Sequence, residues 1–415
     1  MMQAADAERR VGILRYATEG PRCAGRAKSS PADFRVEEVI DTSGMTLSWA
    51  AGRYPLYRVE KASIDTMHMA GELEAALRSR VSYAGMKDSR AVAVQYATPT
   101  SLRSMRPERV DRQRFTATLA GYLERPLSRA SVLANRFDVV LRGCCTDVGA
   151  RASEAFGLAS AGKVPNYFGL QRFGSSVSGT HAVGRALVKG EFERAVGLLL
   201  AGGSAEAREA AASGRYGELL GVLPPGKDVE RRVARSLAAH PGEWVKALRA
   251  VPVKLRRLYV QAYQSFIFNR TLSRALERGE DISSYAVGDN WGERSPDGMA
   301  VNGVRGVKDT PTEGAVPLVQ LVGYAYRDYG SRFDACVVDE LASEGVEPRS
   351  FYVKDMQEVS SEGGFRRAHL AVKDASFRVD GDNASLRFTL ARGQYATVLL
   401  REVLKPVDPA ASGLT

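Results

Sequence analysis

The chain changes texture twice, and that restricts its fold more than any single motif does. Period-two stretches, the mark of half-buried strands, lie towards both ends, and an Ala-, Leu- and Arg-rich helical stretch runs from Ala182 to about Gly279 between them. The simplest arrangement is one domain of mainly antiparallel sheet, interrupted by an inserted helix-rich unit. A length of 415 residues accommodates both. Asp33 to Ile40 alternates cleanly, Leu56 to Lys61 alternates more weakly, and Phe115–Tyr122 and Arg136–Leu141 follow. Near the far end, Ala375–Arg378 and Ser385–Leu390 flank Asp380-Gly381-Asp382-Asn383, a good hairpin turn, and a last helix starts near Gly393. Asp65-Thr66 reads as a helix start, with Met67, Ala70, Leu73 and Leu77 as its core stripe and His68 at the surface. In the middle, Glu191–Leu200, Ala205–Ala212, Val229–Ala239, Trp244–Arg249 and Leu255–Arg278 read as helices, punctuated by Gly202-Gly203 and Pro224-Pro225-Gly226. On the last of these, Gln264, Asn269 and Arg270 read as surface groups or as polar groups facing a cleft. Residues 1–30 read as a loosely packed lead-in. No internal repeat or low-complexity tract is present.

Within the first β-rich part, Tyr83 to Thr98 holds the turn Gly85-Met86-Lys87-Asp88-Ser89-Arg90 between two apolar stretches. The turn carries one carboxylate and two cations. It reads either as a polar hairpin turn or as a carboxylate held at a strand end. Neighbouring cations favour the charged form, and an ionised carboxylate can act as nucleophile or base. Downstream, Leu102 to Arg114 carries Arg103, Arg106, Arg109, Arg112 and Arg114 against Glu108 and Asp111. That is a solvated face or a phosphate contact, and its place one strand after Asp88 favours the second. Lys163 to Gly174 interleaves aromatics, amides, glycines and Arg172, which suits either a structural loop or stacking on unstacked bases.

The formal charge is +10, from 58 Lys plus Arg against 48 Asp plus Glu, which is compatible with a polyanionic partner. Four cysteines (Cys23, Cys144, Cys145, Cys336) and four scattered histidines show neither Cys-x-x-Cys nor metal-ligand spacing, so neither a metal site nor a disulfide framework is expected. With no signal-like start and no apolar run of membrane-spanning length, a soluble cytoplasmic protein is expected.

Several stretches together resemble the tRNA pseudouridine synthase D (TruD) family. They are Ser-Pro-Ala-Asp-Phe-Arg-Val-Glu-Glu from Ser30; Ala-Gly-Met-Lys-Asp with Ala91 and Gln95 behind it; Asn135-Arg136-Phe137; Pro-Asn-Tyr-Phe-Gly-Leu-Gln-Arg-Phe-Gly from Pro165; Gln264-Ser265; and Tyr-Ala-Thr-Val-Leu-Leu-Arg-Glu near the end. They span nearly the whole chain in the family's order. The Pro165 box and the Gly-Met-Lys-Asp turn are specific, and the others are weak singly. The helical middle looks more archaeal or eukaryotic than bacterial. The resemblance implies an α+β fold: a pseudouridine-synthase catalytic domain of mainly antiparallel sheet with flanking helices, formed by residues 1–164 and 373–415, interrupted by a TRUD domain at 165–372. It implies isomerisation of uridine to pseudouridine in tRNA, at position 13, by a monomer without metal or organic cofactor. By position, Asp88 matches the catalytic aspartate, Phe137 the ring that packs on the target base, Asn135 the amide near the aspartate and Lys28 a basic residue near the site. Ala93 stands where the family often has Thr, and Ser89 where a cation is common. A hydroxyl missing near Gln95 would cost a hydrogen bond worth about 1 kcal/mol.

The chemistry explains the residue types. Uracil must detach, turn and rejoin through carbon without leaving its pocket. Asp88 is the candidate nucleophile or base; attack at the sugar, addition to the ring and a glycal route remain open. A stacked target must be flipped out, and Phe137 would replace part of the lost stacking. Lys28 or Arg90 would keep Asp88 ionised. Phe168, Arg172, Arg106 and Arg109 are the expected RNA contacts. The main rival is an RNA-binding protein without catalysis. A metal-dependent nuclease is a second rival, but it lacks a cluster of ligands at metal-site spacing.

Overall fold

The computed structural model describes residues 2–48, 52–89, 91–174, 179–202, 204–295, 298–306 and 310–415. In chain order the strands are β1 (Phe34–Ile40), β2 (Met45–Thr46), β3 (Tyr54–Ala62), β4 (Val81–Tyr83), β5 (Val92–Pro99), β6 (Arg109–Arg112), β7 (Phe115–Leu123) and β8 (Val132–Leu141), then β9 (Asn290–Arg294), β10 (Val301–Arg305), β11 (Val316–Leu321), β12 (Gly364–Arg367), β13 (Val372–Asp380) and β14 (Asn383–Ala391). Two sheets result. The larger runs β13-β14-β8-β1-β5-β3-β7-β2, with β4 added on β5 and β6 on β7; the smaller runs β10-β9-β11-β12. The two ends of the chain meet in the larger sheet, because β14 pairs antiparallel with β8 from Ala384↔Leu141 to Ala391↔Ala134. Among the described pairings only β1 with β5 is parallel, so the mainly antiparallel α+β architecture is as expected.

One face of the large sheet is covered and the other is open. On the covered face, the helix Thr66–Leu77 packs with Tyr57, Val59, Ala97 and Ala117. Asp65 caps that helix by accepting from the backbone N–H of Met67 (2.9 Å) and His68 (3.0 Å). The buried stripe is Met69, Ala70, Leu73 and Leu77, whereas Met67, expected in it, is 64% exposed. Further along the same face, the helix Val148–Ser160 packs on Phe137, Leu386 and Phe388. Between these two packs lies the start of the β4–β5 connection, residues 84–89. The open face carries charges that pair across strands: Arg35 with Glu60 (2.9 Å), Arg58 with Glu37 (3.3 Å) and Arg387 with Asp138 (2.6 Å).

The helical middle has its own core, from Val183 through Val196, Leu219, Val233 and Leu248 to Tyr263. The 25-residue helix Val253–Glu277 contributes to both cores. Gln264 and Asn269 on it are buried and face no cleft. Gln264 donates to the carbonyl of Val322, and Asn269 donates to the carbonyls of Val11 (2.9 Å) and Phe168 (3.0 Å). Arg270 pairs with buried Glu340 at 3.0 Å.

Two expectations fail at the start of the chain. The lead-in is core: Val11, Ile13 and Tyr16 are buried. Glu8, buried with them, binds Arg401 of the last helix, Ala396–Leu404, while Glu402 accepts from the backbone N–H of Ala17 and Thr18. Its polarity misled because the exposed charges alternate with buried apolar residues and with Glu8, whose charge is met inside. Cys23 and Cys145 also form a disulfide, although they lie 122 residues apart. Antiparallel pairing of Arg26 with Arg142 brings them together, and sequence spacing carries no sign of such a contact. Among the described residues, no helix is long and apolar enough to cross a membrane.

Candidate active site

The loop 84–91 is longer than the hairpin turn the sequence predicts. β4 ends with Tyr83 opposite Ala97, and β5 begins with Val92 opposite Arg35 of β1, so the chain retraces the strand before re-entering the sheet. Three buried groups pin it. Lys61, 1% exposed, sends its ammonium to the carbonyls of Ile64 (2.7 Å), Lys87 (3.3 Å) and Asp88 (3.1 Å). Burial lowers its pKa, which Asp65 and Asp88 partly oppose. Thr66 Oγ1 accepts from the Lys87 N–H at 2.9 Å and donates to Gln95 Oε1 at 3.1 Å. The Lys87 ammonium crosses to Glu38 Oε1 (2.9 Å) and donates to Asn135 Oδ1 (2.8 Å). Glu38 also accepts from the Tyr96 N–H at 3.1 Å. Glu38 and Asn135 are direct partners across β1 and β8.

Asp88 is thus fixed through its backbone while its side chain stays 41% exposed. Its Oδ2 lies 3.0 Å from Lys28 Nζ, and Lys28 itself is only 6% exposed. Lys28 sits at φ +55°, also donates to the Thr415 carbonyl (3.1 Å), and lies 5.0 Å from the centre of the Phe34 ring. A cavity of about 310 Å³ opens here, lined by Lys28, Ser29, Ser30, Pro31, Ser63 and Ser89. Phe137 sits edge-on to Phe34 (6.0 Å) and stacks on Phe388 (5.3 Å), 7% exposed. Lys28, Asp88, Phe34 and Phe137 therefore form one chain of contacts. Asn135, expected near the aspartate, reaches the site through Lys87. Arg90 lies outside the described residues. The Nε2 of Gln95 is buried with no hydrogen-bond partner among the described residues, two residues along the same strand face from Ala93, where the family often carries a hydroxyl.

Ser63 also borders a larger cavity, about 680 Å³, lined by Arg58, Arg109, Arg112 and Arg114 with Glu60. Arg109 pairs with Asp111 at 2.8 Å, and Arg106, half-buried, lies outside this lining and donates to the Leu102 carbonyl. Phe168 and Arg172 come together elsewhere, beside Tyr395. Among the described residues the one metal-type cluster is Cys23, Cys145 and Asp147, whose ligand atoms lie within 4.8 Å of one another. With the two sulfurs bonded to each other it offers no thiolate.

The sequence reading missed Lys61, Thr66 and Glu38. A signal for two of them was present: Lys61 shares strand parity with Tyr57 and Val59, and Glu38 with Phe34 and Val36, so both charges point inward.

A mainly antiparallel sheet thus carries one half-exposed carboxylate beside a buried lysine, and likeness to known proteins gives the class of the chain. A family model described as tRNA pseudouridine synthase D (TruD) matches residues 10–403. Relatives named as probable tRNA pseudouridine synthases D include one from Pyrobaculum neutrophilum, 33% identical over 100% of both chains, and one from Archaeoglobus fulgidus, 32% identical over 96% of this chain and 99% of the other. A crystal structure of TruD from Methanosarcina mazei superposes with a TM-score of 0.79 at 25% identity, covering 100% of both chains. The chain belongs to the tRNA pseudouridine synthase D family, and so to the isomerases that form pseudouridine.

Proposed function

We propose that the protein isomerises uridine to pseudouridine at position 13 of tRNA, with Asp88 as nucleophile or base towards a flipped-out nucleotide. The observation that carries this is the contrast at Asp88: a half-exposed carboxylate, whose neighbour Ser89 and partner Lys28 line a cavity, on a loop whose backbone is pinned from behind by Lys61 and Thr66. Such fixation orients the reacting group before substrate arrives. Lys28 sets its ammonium 3.0 Å from the carboxylate. Asn135 acts as a positioning residue through Lys87, and Arg90 is the remaining candidate cation on the substrate side. Phe137 takes the target base after a rearrangement that uncovers its ring, with stacking worth about 1–3 kcal/mol. RNA flanking the target runs past Ser63 into the arginine-lined cavity, where Arg109 meets phosphate, with Arg106 at its margin and Phe168 and Arg172 contacting a more distant part. The same reading divides the chain into a catalytic domain, 1–164 and 373–415, and an inserted TRUD domain, 165–372. It acts as a cytoplasmic monomer.

The test is incubation with unmodified tRNA transcripts followed by pseudouridine mapping. One modified site at position 13, lost when that uridine is replaced by cytidine, is expected. Binding without any pseudouridine would support the non-catalytic alternative.

A further inference from the structure

Where arginine is buried in this protein, it generally meets a carboxylate. Arg401 lies between Glu8 and Glu402, Arg332 binds Asp289, Arg256 binds Glu358, and Arg274 binds Glu340. Arg172 and Arg366 depart from this pattern, as Arg367 and Arg231 also do, and these first two share one ring. The guanidinium carbon of Arg366 sits 4.1 Å from the centre of Phe168, and that of Arg172 sits 5.8 Å from it. Arg366 donates to the Asn166 carbonyl (3.1 Å), Asn166 Oδ1 (2.7 Å) and the Gly393 carbonyl (2.9 Å). Arg172 donates to Ser265 Oγ (3.2 Å) and Gln261 Oε1 (3.1 Å). All of these acceptors are neutral, and among the described residues neither arginine makes an ion pair.

Two like charges held over one ring repel, and burial lowers the pKa of both, that of Arg366 to about 10. Phe168 is rigid beneath them, because Asn269 accepts from its N–H (2.8 Å) and donates to its carbonyl (3.0 Å). A guanidinium has five N–H donors, so both forks keep donors beyond those bonds. What sets this pair apart is that two guanidinium groups face one ring with no carboxylate bound to either among the described residues. The pair also lies along the sheet from the loop that carries Asp88. Gly393 follows the end of β14 at Ala391, where Leu390 pairs with Asn135, the partner of Lys87.

We propose that Arg172 and Arg366 form a phosphate clamp that takes a backbone phosphodiester of the RNA whose uridine is at Asp88; this rests on the catalytic reading of Asp88. Phe168 is then the platform that aligns the two forks, not a stacking surface for a base.

Binding of an unmodified tRNA transcript is measured by filter retention from about 50 to 200 mM salt for the wild type, Arg172→Gln, Arg366→Gln, Arg366→Lys and, as a distant control, Arg349→Gln. Each glutamine variant of the clamp should bind about tenfold more weakly and flatten the log–log salt slope by about 0.7 to 0.9. Arg366→Lys should keep the slope, and Arg349→Gln should change nothing. Wild-type slopes in both Arg172→Gln and Arg366→Gln, with only a lowered melting temperature, would make the arginines interior struts and overturn the clamp. Should Arg366→Gln not fold, Arg172→Gln decides alone. Pseudouridine formation by the wild type is scored separately, so a failed clamp and a failed catalytic assignment give different results.

Discussion

Two buried ionic clusters in this molecule are built to opposite plans. At the junction of the lead-in and the last helix, Arg401 and Glu402 are 3% and 0% exposed, and Glu8 is 3% exposed, with Tyr16 stacked on the guanidinium at 3.9 Å. Burial alone would make Arg401 easier to deprotonate, but Glu8 and Glu402 overcome that and hold it charged. Every charge there is met, and none reaches solvent. At the loop that carries Asp88 the cations are buried and the carboxylate is not. Lys61 spends its ammonium on three carbonyls, Lys87 pairs with buried Glu38, and Asp88 stands half in water with Lys28 behind it. The first cluster fastens chain ends. The second fixes a backbone while its carboxylate stays 41% exposed beside Lys28.

Breaking each cluster should separate these roles. Arg401→Met leaves two buried carboxylates without their cation, and loss of about 3–5 kcal/mol is expected from urea denaturation. Turnover per folded molecule should stay near wild type, because the cluster touches neither loop nor cavity. Lys61→Met should do the reverse. Stability should fall by only about 1–3 kcal/mol, from carbonyls left unpaired, while pseudouridine formation at saturating tRNA drops at least about tenfold. Equal damage to stability and turnover in both variants would erase the distinction.

A third buried cation-rich spot sharpens the comparison through pH. His369 is 3% exposed, and burial, then Arg367, lowers its pKa to about 3. A depressed folded-state value means that the unfolded chain takes up the proton first as pH falls. Stability from His369 is therefore complete above about pH 6.5 and is lost towards pH 3, at no more than about 1.4 kcal/mol per pH unit. Urea midpoints measured across that window should show a shallower slope in His369→Gln. An unchanged slope would mean that His369 is not what senses acid.

The sequence made the alternating strands legible, because parity marks a half-buried strand even without partners. Helix ends were nearly as clear, with Ala205–Ala212 and Trp244–Arg249 found at the boundaries read from sequence. Asp88 was legible because the turn that carries it is local, whereas Lys28 entered only through the family resemblance and as one of two cations, with Arg90, for Asp88. The contacts that explain them were not local. Lys61 meets Asp88 across 27 residues, Asn269 brackets Phe168 across 101, and Glu8 meets Arg401 across 393. Polarity in the lead-in suggested solvent exposure, and Asp6, Arg9 and Arg10 are exposed, yet Glu8 between them is buried against Arg401 at the other end of the chain. Inward-facing Lys61 and Glu38 could have been noticed, since a charge on the apolar parity of a strand needs a buried partner.

The central claim is that the carboxylate at 88 performs the chemistry. Asp88→Asn keeps the side-chain volume and removes the charge, and loss of a half-exposed ion pair should cost within about 1 kcal/mol of stability. With tRNA tritiated at uridine C5, the variant should bind normally and release tritium at less than about one-thousandth of the wild-type rate. Release near the wild-type rate from a folded, tRNA-binding Asp88→Asn would contradict the account.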